Sequence, residues 1–201
     1  MKLTFQKDDL LNGINIVLKA VPSKTTMPIL ECILIDASDN QIKLTANDME
    51  LGIETKVEGS ILSRGKIALD AKLLSEIIRK LSGGESDITI ESDEKYNTTI
   101  TCDNSVFHIQ GKNGDEFSYL PFIEKDHFIC LSQFTLKEVI RQTLFSISVN
   151  DSNKMMTGEL FQVTDNELKV VSLDGHRMSI RKIELKDHYE NIKVIVPGKT
   201  L

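Results

Sequence analysis

Val170-Val171-Ser172-Leu173-Asp174-Gly175-His176-Arg177-Met178-Ser179-Ile180 is the stretch that decides the fold. β-Favouring apolar residues run into an Asp-Gly pair, and a second alternating run, Met178, Ile180, Ile183 and Leu185, leaves it. Asp-Gly between two such runs signals a hairpin, because glycine takes positive φ without steric cost. The turn sets His176, Arg177 and Met178 side by side at a strand start. Taken alone, the segment also reads as an ordinary surface hairpin. Its weight comes from a counterpart earlier in the chain.

Sliding the chain on itself so that Asp39 meets Asp165, an offset of 126, lays Asp39-Asn40-Gln41-Ile42-Lys43-Leu44 on Asp165-Asn166-Glu167-Leu168-Lys169-Val170. Leu3 and Phe5 then meet Ile129 and Leu131, Leu10 and Ile14 meet Leu136 and Ile140, and Leu34 meets Leu160. Asp48 falls on Asp174, and Lys56-Val57-Glu58 on Lys182-Ile183-Glu184, with no gap. One position further, the stretch from Lys66 to Lys72 meets the stretch from Lys193 to Lys199. The period is too long for a solenoid, so whole domains are repeated.

Within the first copy, Leu3 and Phe5 predict a strand, and Asp8 or Asp9 a cap for a helix whose apolar residues are Leu10, Leu11, Ile14, Val17 and Leu18. Pro22 ends it. Strands follow at Ile29 to Ile35, Ile42 to Ala46, Leu51 to Val57 and Gly65 to Leu69. Asp70 caps a second helix with Leu73, Leu74, Ile77, Ile78 and Leu81 inward, ended by Gly83-Gly84. Three strands complete the copy, Ile88 to Glu91, Thr98 to Cys102 and Val106 to Gln110. Amphipathic helices on antiparallel strands make an α+β class, two helices packed on antiparallel sheets in each repeated domain. The expected domains are 1–120 and 128–201, joined by a connector at 121–127. In the second copy Thr135 caps a helix bearing Leu136, Val139, Ile140, Thr143 and Leu144, and Asn150 to Lys154 form a polar loop. The second copy is expected to be truncated, since its second helix would only begin near Leu201.

The 201 residues are 40% hydrophobic and carry a net charge of -6, which excludes a uniformly basic nucleic-acid binder but not one with segregated charge. No run has membrane-spanning length, and Met1 to Lys7 is too polar for a signal peptide, so a cytoplasmic protein is expected. Cys32, Cys102 and Cys130 lie far apart in apolar contexts and read as buried core residues, not as a disulfide framework or zinc site. Cations fall on helices, with Lys72, Arg79 and Lys80 on the second and Lys137 and Arg141 on the third. Acids such as Asp36, Asp39, Glu50, Glu54, Glu91 and Asp93 fall on strands and turns.

An enzyme would need Asp174, His176 and His188 as a metal or acid–base set, making a metal-dependent hydrolase, but their spacing fits no metalloprotease signature. Pro197-Gly198-Lys199-Thr200 imitates the end of a phosphate-binding loop, yet Lys193 stands where its first glycine belongs. No catalytic residue, metal or cofactor is expected.

Five segments decide a resemblance: Met1-Lys2-Leu3-Thr4-Phe5, Pro28-Ile29-Leu30, Leu44-Thr45-Ala46-Asn47-Asp48, Asp174-Gly175-His176-Arg177-Met178 and Val194-Ile195-Val196-Pro197. The chain resembles the bacterial β sliding clamps, the β subunits of DNA polymerase III, over their first domain and half of their second. The resemblance implies the DNA-clamp fold and a head-to-tail homodimeric ring, with helices facing the DNA and sheets outside. It implies a non-catalytic processivity factor that encircles double-stranded DNA without sequence specificity. Its partners would be the catalytic subunit of DNA polymerase III, the clamp loader and other proteins with clamp-binding motifs; no membrane is involved. The DNA-touching positions map to Lys24, Lys72, Asn150, Lys154 and Met155, joined by the helix cations Arg79, Lys80, Lys137 and Arg141. The family often has an aromatic pair where this chain has Lys154-Met155. The partner-peptide pocket maps to Met156, Leu173, Gly175, His176, Arg177 and Met178, with Leu173 in place of a small hydroxyl residue and Met178 in place of an aliphatic one. Both remain apolar and suit a peptide with Leu or Phe anchors. The alternative is a ring-incompetent fragment acting at most as a protein-binding module.

Overall fold

Two compact units, Met1–Pro121 and Phe122–Leu201, make up the chain in a computed structural model. It describes residues 1–81, 87–117, 128–149, 153 and 155–201. The expected glycine stop at Gly83-Gly84 and the connector at 121–127 lie outside the described residues.

In the first unit β1 (Lys2–Phe5) runs straight into α1 (Lys7–Val17), which tightens into a 3-10 turn at Leu18–Ala20 before Pro22. Then come β2 (Cys32–Asp36), β3 (Ile42–Asn47), β4 (Gly52–Val57), β5 (Ser60–Ser63) and β6 (Lys66–Asp70). After α2 (Ala71–Lys80) follow β7 (Ile88–Ser92), β8 (Asn97–Cys102), β9 (Ser105–Gln110) and the short β10 (Lys112–Asn113). They form two antiparallel five-stranded sheets, ordered β5-β1-β7-β8-β9 and β10-β6-β2-β3-β4.

Both helices bury one stripe. Leu10, Ile14 and Val17 of α1 and Leu74, Ile77 and Ile78 of α2 meet Leu3, Phe5, Ile33, Ile35, Leu44, Ile67, Leu69, Ile90 and Ile100 in a single core cluster. Each such side chain contributes about 1.5–3 kcal/mol on burial. The helix faces pointing away from this core are therefore free to carry charge. A smaller cluster lies on the other face of β2 and β6, where Phe117 covers Cys32, Leu34 and Ala68.

Asp70 caps α2 as expected, its Oδ1 accepting the Leu73 N–H at 2.8 Å. Several other expectations are corrected. Asp8 and Asp9 sit inside the first turn of α1, and Gln6 is the N-cap with no side-chain bond. The strand ends at Phe5, which leaves no room for a later start. Pro28–Glu31 is a 3-10 turn and the strand begins at Cys32, because a proline at the first helical position favours the turn. β5 was not foreseen, since only Ile61 and Leu62 of Ser60-Ile61-Leu62-Ser63 are apolar and the strand is mostly exposed at a sheet edge. Leu73 is 45% exposed and not part of the core. Cys130 is exposed, whereas Cys32 and Cys102 are buried.

The second unit holds α3 (Gln133–Thr143), β11 (Gly158–Leu173) and β12 (Met178–Pro197). Ser132, not Thr135, is the cap of α3, its hydroxyl accepting the Thr135 N–H at 3.0 Å. Ile129 and Leu131 form no strand but pack beside Val139, Phe161, Val163, Leu168 and Val170. Asp165 takes φ 55°, and the β11–β12 register shifts on both sides of it. The strand bends back there, which brings Leu160 and Val171 to one cavity.

The pairing repeats between units. In the first, Cys32↔Asp70, Leu34↔Ala68, Asp36↔Lys66, Ile42↔Val57 and Asn47↔Gly52 are partners. In the second the partners are Gly158↔Pro197, Leu160↔Ile195, Gln162↔Lys193, Leu168↔Ile183 and Leu173↔Met178. These are the same pairs under the sequence offsets of 126 and 127. One module is thus built twice.

Gly13 marks the tightest contact of α1 with the sheet, because a Cβ there would lie 2.4 Å from Val57 Cγ2. Helix propensity favours Gly13→Ala by about 1 kcal/mol, but overpacking a filled core costs about 1–3 kcal/mol. Val57 is 8% exposed and branched at Cβ, so it has little room to yield. Gly13→Ala is expected to lower the urea midpoint of the first unit; a raised midpoint would show that α1 can lift from β4.

Candidate functional site

The Asp-Gly segment forms a four-residue loop between Leu173 and Met178, the last pair of the ladder. Gly175 adopts φ 87°, which explains the glycine. Asp174 organises the loop. Its Oδ1 accepts the N–H groups of His176 and Arg177, each at 3.0 Å, and its Oδ2 accepts Arg177 Nε at 2.9 Å. His176 and Arg177 are therefore loop residues, and the strand starts only at Met178. The Arg177 guanidinium also lies over the Phe145 ring, 5.9 Å from its centroid, a favourable position for a cation on an aromatic face.

Beside this loop is a cavity of about 290 Å³ lined mostly by apolar side chains. Gly158 and Leu160, Val171 and Leu173, and Lys193 and Ile195 contribute alternate strand positions, joined by Asn153, Met155 and Met156. Period-two alternation puts each of those strand pairs on one sheet face. Of the pocket residues expected from sequence, Met156 and Leu173 line the cavity. Met178 faces the same side as its ladder partner Leu173 and is 61% exposed, while Ile180, opposite Val171, is 50% exposed. They extend the apolar face towards the loop. Gly175, His176 and Arg177 are exposed at its end. Met155, expected among the DNA-touching residues, lines this cavity as well. Leu160, Val171 and Ile195 were missed as lining residues; the signal was their shared parity on three aligned runs.

The helix cations are exposed. In the first unit Lys24 lies in the loop after α1 and Lys72 in the first turn of α2, and neither makes an ion pair or hydrogen bond among the described residues. Arg79 Nη2 donates to Ser75 Oγ at 3.4 Å, and Lys80 pairs with Glu76 at 3.8 Å. Lys80 also lines a cavity with Leu73, Ile77, Phe107 and Ile109, so it leans towards β9. In the second unit Lys137 is unpaired among the described residues, and Arg141 is held by Glu138 at 2.7 and 3.1 Å. That bond lowers the Glu138 pKa and raises that of Arg141. Of these expected cations, Lys24, Lys72 and Lys137 carry undirected charge among the described residues. Asn150 and Lys154 lie outside the described residues.

The hydrolase set does not assemble. Asp174 is committed to its own loop, and His188 Nδ1 pairs with Asp165 Oδ1 at 2.5 Å, which raises the His188 pKa. Among the described residues no group of three or more His, Cys, Asp or Glu could hold a metal ion. No helix among them is long and apolar enough to cross a membrane.

Comparison with known proteins decides the family. The family model for the N-terminal domain of the DNA polymerase III beta subunit matches residues 1–121, and the model for its central domain matches residues 130–201. The chain belongs to the DNA polymerase III beta subunit family. Beta sliding clamps of Staphylococcus epidermidis and Staphylococcus aureus are 37% and 36% identical to it, each over 209 residues. Each alignment covers 100% of this chain and 55% of the relative. The chain thus spans about half the length of the curated relatives it matches. A crystal structure from Eubacterium rectale ATCC 33656, described as a DNA polymerase III beta subunit, is 64% identical with a TM-score of 0.93, over 99% of this chain and 54% of that one. The DNA polymerase sliding clamp of Bacillus subtilis is 36% identical with a TM-score of 0.92, over the same shares.

In this beta-subunit chain the loop that bears Asp174 is an electrostatic device. The His176 and Arg177 amides, then the Arg177 guanidinium, hold the Asp174 carboxyl below the usual range. A depressed carboxylate pKa contributes stability that is present above the unfolded value, about 3.9, and lost as pH falls through the folded one. The His176 and Arg177 amide resonances are expected to titrate with a midpoint below about 3.9. A midpoint in the ordinary aspartate range would show that the loop bonds do not hold in solution.

Proposed function

We propose that the chain works as a sliding clamp, tethering a DNA polymerase to duplex DNA without reading its sequence. The observation that carries this reading is the order of the two family domains, 1–121 and then 130–201, on one chain. The charge pattern supports it. A ring that slides needs flexible cations for phosphates and no base readout; Lys24, Lys72 and Lys137 fit that need, while acids such as Glu54 and Glu91 are paired with Lys43 and Lys2 on the strands. We assign DNA contact to Lys24, Lys72, Arg79, Lys80, Lys137 and Arg141, and to Asn150, Lys154 and Met155. The partner pocket is assigned to Met156, Leu173, Gly175, His176, Arg177 and Met178. In the first unit Phe117 fills the face of β2 and β6 that corresponds to this groove. An aromatic anchor therefore suits the open copy in the second unit.

A homodimer is supported by the β9 edge. β9 ends its sheet, Val106 is 55% exposed, and a cavity of about 290 Å³ beside it is lined by Leu73, Ile77, Phe107 and Ile109. Unpaired, partly apolar edges are sites of chain association. The second reading, a groove-bearing module that does not close a ring, is supported by a groove whose lining lies wholly within the second unit. Retention after loading on closed circular DNA separates the two: a ring stays and is released by linearisation, whereas a module washes off both forms.

Lys24→Glu with Lys72→Glu is expected to weaken duplex binding at low salt and to reduce the slope of log affinity against log salt by about two. An unchanged slope would remove these lysines from the DNA face. Leu173→Asp is expected to weaken a Leu-Phe clamp-binding peptide by about tenfold or more, read by fluorescence anisotropy; undiminished affinity would reject the groove.

A further inference from the structure

Among the described residues Glu159 is the one buried acid that nothing above uses. It is 0% exposed, on β11 opposite Val196. Neither carboxyl oxygen makes a hydrogen bond with a described residue. Around it the second unit is polar where the first is apolar. Thr143, Ser146 and Ser172 are buried, and Ser179 is half-buried. Under the 126 offset they and Glu159 correspond to Val17, Ala20, Ala46, Ile53 and Ile33, all members of the apolar core or packed against it. The module does not require polar residues at these places.

The hydroxyl bookkeeping limits what Glu159 can be. Thr143 Oγ1 donates its hydrogen to the Val139 carbonyl at 2.8 Å, and the Thr143 carbonyl accepts from Ser172 Oγ at 2.5 Å. Ser146 and Ser179 share a bond at 2.6 Å. The Thr143 hydroxyl acts on Glu159 only weakly, its hydrogen being given to the Val139 carbonyl. An ionised carboxylate has no hydrogen-bond donor among the described residues. No charged side chain among the described residues compensates it. Thr143 faces it from α3, Val196 from β12, and neither ionises; Lys137, Glu138 and Arg141 of α3 do not contribute to its field. Burial pushes its carboxyl up from the ordinary range, with the Thr143 hydroxyl a smaller opposing influence.

We propose that Glu159 is carried as a neutral acid beneath the C-terminal end of α3, and that its ionisation is a pH-sensitive release of that end from the sheet. The sign follows from linkage. A carboxyl harder to ionise in the folded than in the unfolded chain destabilises the fold as pH rises above the unfolded value, until the folded value is passed. The proposal is independent of the DNA reading, because its test reads α3 and no nucleic acid.

The test is a carbon-13 NMR titration of the Glu159 carboxyl in the whole chain, with hydrogen exchange of the Val139 to Thr143 amides corrected for intrinsic rates. The carboxyl is expected to titrate well above its ordinary range, and the opening of α3 to grow by about tenfold per unit of pH between the two values. Glu159→Gln, which keeps the shape and cannot ionise, is expected to abolish that growth and leave protection at pH 4 unchanged. A carboxyl titrating in the ordinary range overturns the proposal, as does exchange in Glu159→Gln with the same pH dependence as the parent. Should Glu159→Gln not fold, the titration of the parent chain decides alone.

Discussion

A short amphipathic helix cannot bury its apolar stripe unaided, and the need to bury two of them against antiparallel strands shapes the first unit. Leu10, Ile14 and Val17 of one helix and Leu74, Ile77 and Ile78 of the other press into the same core as strand residues from both sheets. This fixes which helix faces remain in water. Lys72 and Arg79 are exposed because Leu74 and Ile78 are not. The exposure of cations on the helices is thus a by-product of core packing. It requires no excess of positive charge.

The repeat shows what the module tolerates. Strand pairing is preserved residue for residue between the units, yet the two faces of the pairing have diverged. The outer face of β2 and β6 is closed by Phe117, and the corresponding face of β11 and β12 is an open groove. The inner face is apolar in the first unit and gathers Thr143, Glu159 and Ser172 in the second. A duplicated scaffold permits this divergence: one copy closes its outer face while the other keeps it open.

Much of this was legible in the amino-acid order. The Asp-Gly turn, the Asp70 cap and the repeat rest on local chemistry and period, and they appear in the structure at the expected residues. The misreadings share a cause. Helix starts at Gln6 and Ser132 were displaced because several capping residues compete within a few positions, and only tertiary packing selects one. β5 is only four residues long and leaves Leu62 exposed because an edge strand need not be buried. Of the pocket, Met156 and Leu173 were legible by family resemblance, whereas Leu160 and Ile195 join it only because the strand doubles back at Asp165. Glu159 gave no signal at all. A lone acid between Gly158 and Leu160 reads as exposed, and only the folded chain places it under a helix.

The central claim is that exposed helix cations hold duplex DNA through its phosphates alone. The most direct measurement is the affinity of the chain for several duplexes of equal length and unrelated sequence across a range of salt. The account predicts one common affinity at each salt concentration and a steep, parallel fall as salt increases. Affinities that separate by sequence, or that hold steady as salt rises, would contradict it.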